Sequence, residues 1–94
     1  EVERIANQHA VDEINAGIAQ VLADVRAGKA SVLAYHMARY HMSPGLLAAN
    51  TGIWSLRIRR HMRPHIFARL PEAILLRYAD AFRIDLATLV KVPD

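Results

Sequence analysis

A chain of 94 residues that is 53% apolar has the size of one domain, and enough apolar content for one packed core rather than a disordered chain. It contains no cysteine, which excludes disulfides and thiolate metal sites, and no apolar stretch near ~18 residues, which excludes a spanning helix. The net charge of +3 is unevenly placed: residues 1–27 hold five acids and two bases, whereas residues 51–69 hold five arginines and no acid.

A domain this short buries only about two-thirds of its unfolded surface, so a partner subunit would help it. No signal-peptide pattern is present, and a cytoplasmic location is expected. A first residue other than Met is that of a processed chain or of a domain cut from a longer one.

Residues 3–27 read as a long amphipathic helix. Val11, Ile14, Ile18, Val21 and Val25 follow each other at alternating steps of three and four, with Ala19 and Leu22 widening the stripe. The same seam serves an extra core helix or a dimer interface, which divides the chain into residues 1–28 and a second unit, 29–94. Gly28 is a natural helix stop. Ser31 is placed to cap a second helix through about His41, with Leu33, Met37 and Tyr40 on one face. Ser43-Pro44 starts a third helix, to about Asn50, because Ser is a preferred N-cap and Pro suits the first helical position.

Gly52 breaks that helix. A fourth runs from Trp54 or Ser55 to about Met62, and Pro64 ends it. His65 to Leu70 reads as a connection. Pro71 and Glu72 open a fifth helix to about Phe82, with Ile74, Leu75, Tyr78, Ala81 and Phe82 as its apolar stripe. Asp85 caps a last short helix, to about Lys91, buried through Leu86, Leu89 and Val90. No two-residue alternation is long enough for a strand, so the expected class is all-α with five to six helices.

The functional signal lies in Pro44-Gly-Leu-Leu-Ala-Ala-Asn-Thr-Gly-Ile-Trp-Ser-Leu-Arg-Ile-Arg-Arg-His-Met-Arg63. Two short helices that cross steeply need a small residue at the contact, and Ala48 supplies it. The turn favours a residue tolerant of positive φ, and Gly52 supplies that four positions later. Ile53 and Ile58 are spaced to face inward, with Leu47 as a further core contact. The five arginines around the second helix are the footprint of a phosphate-binding surface, or else a solvated face or one paired with the acidic first helix.

These spacings resemble the helix-turn-helix of the lambda-repressor-like (Cro and Xre type) DNA-binding family. The likeness covers about residues 31–90: Val32 to Met42 resembles the family's first helix, and Pro71 to Leu89 its closing pair. The resemblance implies a helical bundle whose helix from Trp54 enters the major groove of double-stranded DNA. It places Trp54, Ser55, Leu56, Arg59 and Arg60 on the exposed face. Arginine offers bidentate donors to guanine, which makes Arg59 the leading base reader; Ser55 suits a base or a phosphate, and Leu56 a thymine methyl. Arg60, Arg63 and Arg69 are expected to hold phosphates. The implied function is a repressor-like regulator of bacterial, phage or antitoxin type, acting as a homodimer.

The sequence departs from that pattern at His61, where the family has an apolar anchor, and at Met62-Arg63-Pro64. The departure at His61 favours the alternative, a helical protein-protein interaction module on the same scaffold that has lost DNA binding. Trp54 fits a core or interface position as well as a DNA contact. His61 and His65 are four apart, but Pro64 intervenes and no third ligand is near, so no metal is expected. No nucleophile–base pair, glycine-rich phosphate loop or paired carboxylates are present. Neither an enzyme nor a cofactor is expected, and no small-molecule ligand is evident.

Overall fold

In the computed structural model, residues 17–93 are described, and they form seven helices with no strand among them. These are α1 (17–26), α2 (Val32–Arg39), α3 (Pro44–Thr51), α4 (Ser55–His61), α5 (Pro64–Phe67), α6 (Glu72–Phe82) and α7 (Leu86–Val90). The protein is all-α.

Local signals set most boundaries. The Ser43 hydroxyl accepts from the Leu46 N–H at 3.2 Å and starts α3, with Pro44 in its first turn. The Asp85 carboxylate accepts from the Thr88 N–H at 2.7 Å and starts α7. Gly28 and Gly52 end α1 and α3 at φ of 77° and 75°, a region open to glycine at little cost. Helix α2 stops at Arg39 rather than His41, because His41 takes up the left-handed conformation at φ 55°.

The core draws on all seven helices. Leu33 of α2, Leu47 of α3, Ile53 of the following turn, Ile58 of α4, Tyr78 of α6 and Leu89 of α7 are fully buried. Each aliphatic side chain so placed contributes roughly 1.5–3 kcal/mol over its exposed state. The His36 ring of α2 donates from Nε2 to the Leu89 carbonyl at 2.9 Å, which ties α2 to α7. From α1, Val25 is buried, and Ile18, Val21 and Leu22 pack against the same core. This part of the seam therefore faces its own domain. Val11 and Ile14 lie outside the described residues.

Four expectations need correction. Ser31 sits at the N-cap of α2, but its hydroxyl makes no cap; it donates instead to the His61 carbonyl at 2.9 Å. The connection from His65 to Leu70 contains a helical turn, α5, because Pro64 ends one helix and supplies the pre-set φ for the next. That turn makes the helices seven. Ala19 is exposed, so it does not widen the buried stripe. Val90 is 46% exposed, the inward side of α7 being taken by Leu89.

The two α3 glycine positions make a direct test of this geometry. Gly52→Ala places a Cβ on a left-handed residue and should cost about 1 kcal/mol by urea unfolding. Gly45→Ala, inside α3 with its nearest neighbour 4.0 Å away, should be neutral or stabilising. Equal effects at the two sites would contradict the conformation of the turn.

Candidate nucleic-acid interface

Helices α3 and α4 pack against each other through Leu47, Ile53 and Ile58, and the turn between them is held by one side chain. The Thr51 hydroxyl donates to the Leu47 carbonyl at 2.7 Å and accepts from the Ile53 N–H at 3.1 Å. The Gly52 N–H returns to the Ala48 carbonyl at 2.9 Å, which satisfies the end of α3. The chain then enters α4 with Trp54 at the N-cap position, making no side-chain cap.

Within α4, Ile58 and His61 face inward and Ser55, Leu56, Arg57, Arg59 and Arg60 are exposed. Ser55 and Arg59, four apart, share one flank; Arg57 and Arg60, three apart, share the other. Trp54 is 77% exposed and Leu56 69% exposed, so Trp54 is not part of its own core. The structure thus brings Trp54, Ser55, Leu56, Arg59 and Arg60 together on one element. Arg63 follows at the start of α5, and Arg69 belongs to the turn after α5; both are exposed. Among the described residues, Arg57, Arg59, Arg60, Arg63 and Arg69 make no side-chain hydrogen bond.

The irregular residue His61 fills the anchor position rather than emptying it. It is 5% exposed, and its Nδ1 lies 2.6 Å from the hydroxyl of the fully buried Tyr78. Its carbonyl takes the Ser31 hydroxyl, and the next carbonyl, that of Met62, takes the Ser31 N–H at 2.7 Å. Helix α4 is thereby held to α6 by a side-chain bond where an apolar residue would supply contact alone, and to α2 through its own backbone carbonyls. Burial lowers the His61 pKa from its ordinary 6.5, and the neighbouring Arg57 and Arg60 lower it further. Burial also raises the Tyr78 phenol, so both groups are neutral near pH 7. His36 is likewise held below its ordinary value, chiefly by burial.

Arg57 was not anticipated as a site residue. It shares a cleft of about 290 Å³ with Arg60, His61 and Ile66, the last contributed by the unanticipated helix α5. The spacing of Arg57 to Arg60 and His61, three and four, was the available signal. Among the described residues, no group of three potential ligands is placed to hold a metal, and no helix is long and apolar enough to cross a membrane. Comparison with protein-family models, with curated proteins and with solved structures finds no match to this chain.

Two measurements follow from the buried pair. Tyr78→Phe leaves the imidazole Nδ1 buried without a donor and should cost about 1–3 kcal/mol; adding His61→Leu should return most of that loss in a double-mutant cycle. Strict additivity of the two changes would show that the bond carries no coupling. The pH dependence has a fixed sign. With folded pKa values below 6.5 at His36 and His61, the unfolded chain binds protons more readily, so stability falls as pH drops from about 7 to about 5. A Tm flat or rising over that interval would contradict neutral burial of both rings.

Proposed function

We propose that the protein binds duplex DNA sequence-specifically through α3 and α4, as a lambda-repressor-like regulator. The observation that carries the reading is the α4 face. A helix anchored by Ile53, Ile58 and His61 presents Ser55, Leu56, Arg57, Arg59 and Arg60 to solvent, with Trp54 at its entrance and no acid on it. Cationic side chains on an exposed helix suit a groove lined by phosphates, and the first turn of such a helix reaches base edges. In this reading Arg59 reads guanine, Ser55 and Leu56 flank it, and Arg60, Arg63 and Arg69 hold phosphates. A seven-residue helix spans few base pairs, which favours a homodimer on two half-sites about one DNA turn apart.

The second reading, a protein-protein interaction module, draws on Trp54 and Leu56. Two large exposed apolar side chains on one turn are the kind of anchor that protein interfaces use. Its other motive was a lost anchor at His61, and that position is buried and bonded.

Binding to a random-sequence duplex library across a salt series separates the two. The expected result is enrichment of a repeated half-site, with affinity falling steeply as salt rises. Arg59→Glu with Arg60→Glu should abolish that binding and leave helicity and oligomeric state unchanged. No duplex binding at low salt overturns the DNA reading in favour of the interaction module.

A further inference from the structure

The cleft beside α4 sets His61, which faces inward, next to Arg57 and Arg60 of the exposed face. Tyr78 is fully buried, and His61 Nδ1 is the hydrogen-bond partner of its hydroxyl. Were Nδ1 protonated and donating, the phenol proton would be left without an acceptor in the core, at the cost of a buried unmade bond. Tyr78 therefore donates, Nδ1 accepts, and the neutral ring carries its proton on Nε2. That nitrogen has no hydrogen-bond partner among the described residues and is not sealed from the surface. His61 lines the cleft together with Arg57 and Arg60, and Ile66 of α5 forms the remaining wall. The lining residues thus carry two guanidiniums and one imidazole, and no carboxylate.

We propose that Arg57, Arg60 and the Nε2–H of His61 form an oxyanion cleft that takes a phosphate group. Guanidinium forks match phosphate oxygens in pairs, and a neutral N–H on a ring already held by its other nitrogen adds a donor that needs no ordering on binding. The groups around the ring are Arg57 and Arg60 on its own helix, Ile66 from α5 and Tyr78 from α6, none of them an acid. The phosphate comes from one of two sources, a DNA backbone or a free phosphate or monoester. The first source rests on the DNA reading; the anion site itself does not.

The test titrates the intact chain, with ¹⁵N-labelled histidine, against inorganic phosphate and against chloride at matched ionic strength. The expected result is a saturable shift of the His61 Nε2 signal with phosphate alone, weakened about tenfold in Arg57→Gln. The paired change His61→Leu with Tyr78→Phe keeps an apolar anchor while deleting the Nε2 donor, and should weaken phosphate protection in thermal unfolding. A duplex arm identifies the source. If the backbone is the ligand, Arg57→Gln lowers affinity evenly across sequences and reduces the salt slope by about 1. Phosphate-specific binding with no duplex bound by the parent supports the cleft with a free phosphate and removes the DNA reading. A phosphate titration indistinguishable from chloride overturns the cleft, while duplex binding by the parent would leave the DNA reading in place.

Discussion

The end of α4 is where three helices are tied by directional bonds. Ser31 gives its N–H to the Met62 carbonyl and its hydroxyl to the His61 carbonyl, so the start of α2 satisfies two carbonyls that the end of a helix leaves open. On the same residue the His61 ring meets the Tyr78 hydroxyl of α6. In a low-dielectric interior such bonds are strong when made and costly when broken. An apolar anchor at this position would tolerate small rotations of α4 about its axis. A 2.6 Å bond from ring to phenol allows much less, so it sets which side chains of α4 point outward.

That constraint matters because α4 cannot hold itself. Seven residues are too few for a helix to persist in water without tertiary contacts. Trp54 makes no side-chain cap, and the first turn carries no acid to meet the positive helix end. Its order comes from Ile53 and Ile58 below it, from the Thr51 bonds at its entrance and from the His61 junction at its exit. The exposed face and the core are therefore one mechanical unit. The fully buried Tyr78 is linked to the helix that carries the arginines by its bond to the His61 ring.

What was legible in the sequence was local. The caps at Ser43 and Asp85, the glycine stops and the inward pair Ile53 and Ile58 each depend on neighbours within a few residues. Ser31 reads as a cap by the same rule, yet its hydroxyl goes to an acceptor thirty residues away, which no local pattern encodes. Helix α5 is a single turn of four residues, shorter than the period by which helices are detected. His61 looks like a lost anchor because its partner, Tyr78, reads on its own as one more apolar position in α6. Trp54, Ser55, Leu56, Arg59 and Arg60 are exposed, on the face that the family resemblance implies, while Ile53 and Ile58 take the inward side. In the sequence Arg57 is only one of five arginines in a basic stretch, because its place in the cleft depends on Ile66 and on the inward turn of His61, both products of tertiary structure.

The clustering of charge around α4 has an internal consequence. Three arginines within four residues repel one another, and two of them, Arg57 and Arg60, also push protons off the adjacent imidazole. The neutral ring is the form that the Tyr78 hydroxyl requires as acceptor, so the arginines support the junction that orients them. The arrangement leaves their mutual repulsion unrelieved by any hydrogen-bonded acid among the described residues. An anion seated between Arg57 and Arg60 would remove that repulsion and meet the ring's outward N–H without disturbing the bond on its inner side. The residue that departs from an apolar anchor is thus the one that allows a single position to serve the core through Nδ1 and a charged ligand through Nε2.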